Sequence, residues 1–260
     1  MTTTDATAAA TRRLRAAGCV FAEQEVAVLR TVAEHDAALS ALVERRAAGE
    51  PLEQVVGFAD FCGVRVTLRP GVFVPRVRSE LLVRLATAAA PPNGLVVDLC
   101  CGSGALGLAV RHQLPGIVLH AADIDPVAVA CARDNLGDDD VHQGDLFAAL
   151  PEALRGRIDV LLANVPYVAT PHLAFLPAEA REHEPRIALD GGDDGLAVFR
   201  AVAAEAADWL APTGLLLSEI TEAQAAIAEP IAAGNGLTAT VVTDDDLDAR
   251  AIIARPARRR

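Results

Sequence analysis

The tetrapeptide Asn164-Val165-Pro166-Tyr167 follows an apolar run, 158–163, and holds the residue types best suited to chemistry in this chain. An amide or exocyclic amino nitrogen is a poor nucleophile because its lone pair is delocalised. A site that methylates such a nitrogen therefore needs two acceptors for its N–H hydrogens. The Asn164 side-chain oxygen can be one acceptor and the Val165 carbonyl the other, since Pro166 holds the preceding residue in the extended region. Tyr167 can stack on a flat amide or base, although a plain strand-end turn uses the same residue types.

A glycine-rich segment lies earlier in the chain, between the first predicted buried strand and the helix that follows it. Its sequence is Asp98-Leu99-Cys100-Cys101-Gly102-Ser103-Gly104-Ala105-Leu106-Gly107, in which residues 102–107 form the pattern G-x-G-x-x-G. Glycines at such a turn permit positive φ and let the backbone approach a ligand, while the helix that follows offers free N–H groups. By itself this pattern fits a nicotinamide dinucleotide site as well as a nucleoside site.

Two acidic segments follow at the ends of the next strands. Asp123 stands about 20 residues beyond the glycine loop, where a carboxylate can accept hydrogen bonds from both ribose hydroxyls. Asp125 precedes Pro126 and is better explained as a helix N-cap. Asp145 can lie near an adenine amino group with Leu146 against the ring, and a second helix cap explains Asp145 equally well.

Alternating apolar runs and helical stretches must position these residues. The runs are 95–99, 117–121, 158–163, 214–220, 237–242 and 251–254. Continuous apolar runs with helices between them predict a mostly parallel sheet covered on both faces. The last two runs lie too close together for a helical crossover, which predicts an antiparallel strand there.

The chain before residue 79 has a different organisation. Apolar residues recur at helical spacing up to about residue 48 and predict two or three short helices. Alternation around residues 58–74 then predicts a β-hairpin. We therefore expect a helical domain over residues 1–56, a hairpin linker over 57–78 and a larger α/β domain over 79–260.

Composition excludes several classes of protein. The chain has 260 residues, 52% of them apolar, and a net charge of −12 in which every basic residue is Arg. An acidic chain repels phosphate backbones, so a nucleic-acid partner is disfavoured. No apolar run approaches the roughly 20 residues of a membrane span, and five cysteines without C-x-x-C indicate a reduced, cytoplasmic protein. The six histidines fall at no metal-ligand spacing, so we expect no metal.

The motifs together resemble those of the HemK/PrmC-like protein-(glutamine-N(5)) methyltransferases, whose signature is Asn-Pro-Pro-Tyr after the fourth strand. Residues 73–80 resemble the family's Pro-Arg-Pro-Glu-Thr-Glu segment, and Asp98 to Gly104 its glycine loop. Two later segments, Glu184-Pro185-x-x-Ala188-Leu189 and Gly191-Gly192-Asp193-Asp194-Gly195-Leu196, also match, with an expected role in shaping the substrate face.

The resemblance implies a class I fold, a Rossmann-like α/β domain with a seven-stranded, mostly parallel sheet. It also implies S-adenosylmethionine as cofactor, with S-adenosylhomocysteine as product. Its implied cofactor residues are Asp98, Cys100, Cys101, Gly102, Ser103, Gly104, Asp123, Asp145, Leu146 and Asn164. Asn164, Val165, Pro166 and Tyr167 would orient a substrate glutamine, and the N-terminal helices would help to recognise the protein substrate. The family's usual target is a Gly-Gly-Gln motif in peptide-chain release factors.

Three departures from the family motifs affect these expectations. Val165 replaces the first Pro of the signature, which should preserve the carbonyl acceptor while changing the pocket wall. Val77-Arg78-Ser79 replaces Pro-Glu-Thr. Cys100 replaces the first loop glycine, and because a positive φ there would cost on the order of 1 kcal/mol or more, we predict a negative φ at residue 100. Gly102 and Gly104 should then carry the unusual angles.

Other functions remain open on the sequence alone. A nucleic-acid amino-methyltransferase uses the same acceptor geometry on adenine or guanine, but the acidic charge balance argues against it. A NAD-type oxidoreductase explains the glycine loop but leaves the tetrapeptide unexplained. A paralogue with another protein substrate, or a module that binds cofactor without turnover, also remains. The oligomeric state is not predicted.

Overall fold

A computed structural model describes residues 3–257 of the chain, with side chains from residue 5. Seven strands form one sheet in the order β5-β4-β3-β6-β7-β9-β8. Their bounds are β3 Leu95–Leu99, β4 Val118–Asp123, β5 Val141–Gln143, β6 Ile158–Ala163, β7 Leu210–Glu219, β8 Leu237–Asp244 and β9 Ala249–Pro256. The first five of these strands pair in parallel, while β9 runs antiparallel to both of its neighbours. The predicted α/β fold, with its antiparallel last strand, is confirmed.

Helices cover both faces of the sheet. They are α5 Glu80–Ala89, α6 Ala105–Gln113, α7 Pro126–Leu136, α8 Ala178–His183, α9 Ala197–Trp209 and α10 Glu222–Gly234. All five residues of β3 are buried, as expected for a strand covered on both faces. Trp209, at the end of α9, is 3% exposed and stacks on Phe147, so it belongs to the core.

The strand order shows which edge of the sheet can bind a ligand. Chain order reverses between β3 and β6, and in open α/β sheets ligands bind in the crevice outside the carboxyl ends of the strands at this switch point. The glycine loop follows β3 and the tetrapeptide follows β6. Two motifs separated by about sixty residues in sequence therefore meet at one crevice.

Four helices precede the sheet: α1 Thr3–Ala16, α2 Ala22–Val32, α3 Asp36–Ala47 and the short α4 Leu52–Val56. They pack around an apolar cluster of their own that includes Leu14, Val26, Leu29 and Leu39. The predicted hairpin follows as β1 Phe58–Phe61 paired antiparallel with β2 Val64–Thr67. The arginine tail, 258–260, lies outside the described residues.

Among the described residues, no helix is both long enough and apolar enough to cross a membrane.

Candidate active site

A cavity of about 760 Å³ opens at the carboxyl edge of the parallel strands. Its volume is in the range of small-molecule sites. Its lining contains the whole tetrapeptide and most of the predicted cofactor residues, namely Cys100, Cys101, Gly102, Ser103, Asp123, Asp145 and Leu146. Asp98 and Gly104 are outside the lining. The sheet thus brings together residues that follow four different strands.

The glycine loop is held in shape by backbone hydrogen bonds to β4. The Cys101 N–H donates to the Ala122 carbonyl at 3.0 Å, and the Gly102 N–H donates to Asp123 Oδ2 at 2.8 Å. Gly102 and Gly104 have φ of +56° and +76°, as predicted. A Cβ on Gly104 would lie 2.8 Å from a Leu136 methyl group, so this position also lacks room for a side chain.

The prediction of a negative φ at Cys100 is wrong. Cys100 adopts φ +57°, the left-handed region that favours glycine. The bonds that anchor Cys101 and Gly102 to β4 require the chain to turn at once after β3, and residue 100 is where the turn begins. The strain, on the order of 1 kcal/mol, is therefore imposed by the loop's tertiary contacts.

Asp98 lies beneath the loop rather than in the cavity. Its carboxyl is fully buried, and its Oδ2 accepts from the Gly107 N–H at 2.9 Å. A Cβ on Gly107 would lie 3.2 Å from this oxygen, so the absent side chain lets α6 approach β3. Burial raises the pKa of Asp98 to about 7, with a smaller contribution from the Asp123 charge. Asp98 thus serves to anchor the helix that follows the loop.

Asp98 makes stability depend on pH. Its folded pKa of about 7 exceeds its ordinary value of 3.8, so between these values the folded chain binds more protons than the unfolded chain. The free energy of unfolding therefore contains a contribution that falls as pH rises through this window. Asp98→Asn keeps an acceptor for Gly107 and removes the titration. In urea unfolding, the free energy of unfolding of the variant, relative to that of the wild type, should be higher at about pH 8 than at about pH 5. The same difference in free energy of unfolding between variant and wild type at both pH values would contradict this.

Asp123 and Asp125 have separate roles. Asp123 Oδ2 accepts from Gly102 and its Oδ1 accepts from the Asp125 N–H at 2.9 Å. Each oxygen keeps a lone pair, and the residue lines the cavity. Asp125 Oδ1 instead accepts from the Val127 N–H at 2.8 Å, so Asp125 is the N-cap of α7, as predicted. Asp123 is left as the acid available to a ligand hydroxyl.

Asp145 and Leu146 line the cavity beyond β5. Asp145 precedes a short 3-10 helix, and its side chain makes no capping hydrogen bond to that helix. Leu146 has φ +45°, a conformation that non-glycine residues rarely adopt. The cap explanation for Asp145 therefore lacks its hydrogen bond, and the carboxylate lies in the cavity wall.

The tetrapeptide presents two acceptors that the protein leaves unpaired. Asn164 Nδ2 donates to Ser79 Oγ at 3.2 Å, while Asn164 Oδ1 is buried and has no hydrogen-bond partner. Within residues 3–257, no hydrogen bond reaches the Val165 carbonyl oxygen. The Val165 side chain is 2% exposed and packs in the core, which accommodates its departure from proline. A buried, unpaired acceptor is costly unless a ligand satisfies it.

Tyr167 is fixed by its hydroxyl. It donates to Glu219 Oε1 at 2.7 Å and accepts from Arg78 Nη2. Burial, with the Glu219 charge, raises the pKa of Tyr167 well above its usual range. The hydroxyl therefore stays protonated at neutral pH, and the ring contributes a flat surface to the cavity.

The later glycine motif supports the tetrapeptide from behind. A Cβ on Gly191 would lie 2.6 Å from the Pro166 carbonyl oxygen, and one on Gly195 would lie 2.2 Å from that of Tyr167. Gln224 Nε2 donates to the Tyr167 carbonyl at 2.9 Å. Sequence reasoning missed Gln224, although the spacing Thr221-x-x-Gln224 is that of a capping box, which the structure contains.

Glu184 connects two matched motifs across the cavity. Its buried carboxylate accepts from the Val74 N–H at 3.2 Å and pairs with Arg76 at 2.6 Å. This contact ties the segment before α5 to the segment after α8. Its role is to hold two walls of the cavity together, and no local pattern in the sequence indicates that pairing.

The chain is similar to known methyltransferases. A family model described as "Methyltransferase small domain" matches residues 63–178. A release factor glutamine methyltransferase from Geobacter sulfurreducens is 37% identical over 196 residues, covering 74% of this chain and 68% of the relative.

The chain belongs to the release factor glutamine methyltransferase family.

A second relative and one solved structure show the breadth of the similarity. A 4-amino-L-phenylalanine/4-methylamino-L-phenylalanine methyltransferase from Streptomyces pristinaespiralis is 38% identical, covering 68% of this chain and 63% of its own length. A solved methyltransferase from Pyrococcus furiosus superposes with a TM-score of 0.55 at 14% identity, covering 74% of this chain and 88% of that one. The structural match supports the Rossmann-like fold.

The chain is an S-adenosylmethionine-dependent methyltransferase, and the cavity fits that cofactor. Gly102 has nothing within 4 Å of a built Cβ, so its surface toward the cavity is open. The Asp123 carboxylate suits ribose hydroxyls, since each of its oxygens accepts one N–H and keeps a lone pair. Burial and the neighbouring aspartates raise the pKa of both the Cys100 and Cys101 thiols, so neither is a ready nucleophile. In the described part of the chain, no cluster of three or more His, Cys, Asp or Glu residues could hold a metal ion.

Replacing Asp123 should weaken cofactor binding. Asp123→Ala removes the carboxylate that faces the cavity and the acceptor for Gly102 N–H, so both a ligand contact and the loop shape are lost. We expect the Kd for S-adenosylmethionine to rise about 30- to 300-fold, as for a lost charge-assisted hydrogen bond together with a loosened loop. Calorimetric titration measures this. Asp134→Ala, on the exposed face of α7 in a pair with Arg69, is the matched control and should keep the wild-type Kd. Equal affinities for both variants would exclude Asp123 from the site.

Proposed function

We propose that the chain transfers a methyl group from S-adenosylmethionine to the side-chain amide nitrogen of a glutamine in a peptide-chain release factor. The observation that carries this proposal is the buried, unpaired Asn164 oxygen next to the unpaired Val165 carbonyl. A primary amide presents two N–H hydrogens on one flat group, and these two acceptors match that pattern. The names of the relatives support the same substrate.

The residues of the chain act by positioning. S-adenosylmethionine supplies an electrophilic methyl group when bound. In this proposal the amide nitrogen would bond to the methyl carbon that the cofactor supplies, with S-adenosylhomocysteine as the leaving group, and would lose one proton to solvent. Asn164 and Val165 hold the N–H hydrogens, which directs the nitrogen lone pair toward the methyl group. Aligned reactants account for large rate gains without a strong base.

Tyr167 completes the amide site in this proposal. Its ring lines the cavity, and its hydroxyl remains protonated, so it acts as a stacking surface rather than as a base. Pro166 limits the conformation of Val165 and so fixes the direction of the Val165 carbonyl. Gln224 holds the Tyr167 carbonyl, and Gly191 and Gly195 allow the backbone to pack closely there because they have no Cβ.

The N-terminal helices are proposed to recognise the protein substrate. We assign residues 1–56 to this domain, 57–78 to the hairpin linker and 79–260 to the catalytic domain. Arg46, on α3, pairs with Glu25 at 2.6 Å and with Glu179 at 3.3 Å, and Glu179 lines the cavity. Gln54 also donates to the Val72 carbonyl at 3.1 Å. A substrate bound to the helices would therefore lie near the cavity mouth.

The test uses the purified full chain with S-adenosylmethionine carrying a labelled methyl group. Four acceptors are supplied separately: a bacterial peptide-chain release factor, the proteins of a whole lysate, total RNA and 4-aminophenylalanine. The control is the same release factor with the glutamine of its Gly-Gly-Gln motif replaced by alanine. We expect label on the release factor and none on its glutamine-free variant, with the added methyl group located by mass spectrometry of the peptide.

Each other outcome contradicts the proposal in a distinct way. Label on RNA would indicate a nucleic-acid amino-methyltransferase. Label on the aromatic amine would indicate a substrate like that in the name of the Streptomyces pristinaespiralis relative. Cofactor binding without label on any acceptor, including the proteins of a whole lysate, would indicate a module without turnover.

A further inference from the structure

Glu219, at the carboxyl end of β7, is a buried acid that connects several cavity residues. It is 4% exposed and ends a strand whose last six residues are all buried. Its Oε2 accepts from Ser79 Oγ at 2.7 Å. Its Oε1 accepts from Arg78 Nε at 2.6 Å and from the Tyr167 hydroxyl at 2.7 Å. One carboxylate thus contacts three side chains from two other segments.

The number of protons fixes the direction of each hydrogen bond. A serine hydroxyl has one hydrogen, and Ser79 gives it to the Glu219 carboxylate, which can only accept. Ser79 Oγ can then only accept from Asn164, which must direct its NH₂ group toward Ser79. The amide of Asn164 is thereby held in one of its two orientations, with Oδ1 left for another partner.

This orientation decides whether Asn164 can serve the reaction. With the amide reversed, its NH₂ group would occupy the place of Oδ1 and would oppose the N–H hydrogens of a substrate amide. A reversed Asn164 therefore lacks the acceptor that the proposed function requires. Asn164 itself cannot choose the orientation, because its oxygen and its nitrogen have nearly the same size.

We propose that Ser79 and Glu219 are positioning residues that hold Asn164 with its oxygen toward the substrate. This inference rests on the proposed function, in which Asn164 accepts a substrate N–H. The Glu219 carboxylate acts at two points, because it also holds the Tyr167 hydroxyl. The acceptor and the stacking ring are therefore set by one buried group.

The experiment compares Ser79→Ala, Ser79→Thr and Glu219→Gln with the wild type. Ser79→Ala removes the hydrogen-bond partner of Asn164. Glu219→Gln supplies an NH₂ group that can donate to Ser79. The Ser79 hydroxyl is then free to donate to Asn164, which favours the reversed amide. Both should lower kcat about 10- to 100-fold while leaving the KM and Kd for S-adenosylmethionine within about twofold. Ser79→Thr keeps the hydroxyl and should keep most of the wild-type kcat.

Ser218→Ala is the matched control. Ser218 is fully buried next to Glu219, and its Oγ has no hydrogen-bond partner. It should lose no activity, and its melting temperature provides the reference for a buried serine replaced on this strand. Ser79→Ala with wild-type kcat, or Ser218→Ala with an equal loss, would overturn the proposal.

A second readout needs no methyl acceptor. The side-chain N–H signals of Asn164 in nuclear magnetic resonance spectra are assigned by their absence in Asn164→Ala. Hydrogen exchange of these protons should be slow in the wild type and in Ser79→Thr, and faster in Ser79→Ala. If the wild type methylates no release factor yet shows this pattern, the proposed function fails and the positioning role stands. If methylation occurs and exchange is the same in all variants, the positioning role fails.

Discussion

Asn164→Ala should lower kcat about 10²- to 10³-fold, the range found when one oriented hydrogen-bonding group of a reaction site is removed. The variant removes a buried acceptor that has no hydrogen-bond partner within the described residues. The remaining Val165 carbonyl holds a single N–H, so the substrate nitrogen can rotate away from the methyl group. The initial rate of methyl transfer to the release factor measures the effect.

Asn235→Ala is the matched control for this substitution. Asn235 ends α10 and donates to the Ile231 carbonyl at 2.8 Å, away from the cavity lining. It removes the same side chain from a helix end and should leave kcat unchanged. Wild-type kcat for Asn164→Ala would show that the tetrapeptide does not hold the substrate amide.

Gly195→Ala should have the largest effect on stability. A Cβ at this position would lie 2.2 Å from the Tyr167 carbonyl oxygen and 2.5 Å from Gln224 Nε2, and the backbone has φ +74°. Either the tetrapeptide backbone or α10 must move to admit the methyl group. Overpacking and left-handed strain together should lower the free energy of unfolding by about 3 kcal/mol or more, measured in urea. Displacement of Tyr167 should also lower kcat.

Gly236→Ala separates the two causes. Gly236 has φ +75°, nearly the same as Gly195, but has nothing within 4 Å of a built Cβ. In Gly236→Ala the free energy of unfolding should therefore fall only by the cost of the left-handed backbone, on the order of 1 kcal/mol, and kcat should be unchanged. Equal losses for the two variants would mean that the close approach to Tyr167 contributes nothing.

The sequence determined the features that depend on neighbouring residues. Buried strands alternate with helices because their apolar patterns differ. Asp125 caps α7 because its side chain accepts from the nearby Val127 N–H, and Pro126 suits the first helical position. The position of the tetrapeptide after β6 and of the glycine loop after β3 follows from the same patterns. Once the sheet is parallel, the two motifs must lie at its carboxyl edge, so most of the predicted cofactor residues line the cavity.

The tertiary structure decided how distant residues complete the site. Ser79 and Glu219 are 140 residues apart in the chain, and their hydrogen bond exists because α5 begins above the end of β7. Glu219 lies within the apolar run 214–220 and belongs to none of the motifs, so sequence reasoning missed it. The motif around Gly195 was visible in the sequence, but its contact with the Tyr167 carbonyl was not.

The angle at Cys100 shows why the sequence alone could not predict such features. Local preference favours a negative φ for cysteine, and the sequence argument followed that preference. The observed φ of +57° is set by bonds from the next two residues to β4, which together outweigh a local cost on the order of 1 kcal/mol. Apolar periodicity and caps are local energies and can be predicted from the chain. The orientation of Asn164 and the turn at Cys100 depend on strand order and long-range hydrogen bonds, which only the folded molecule brings together.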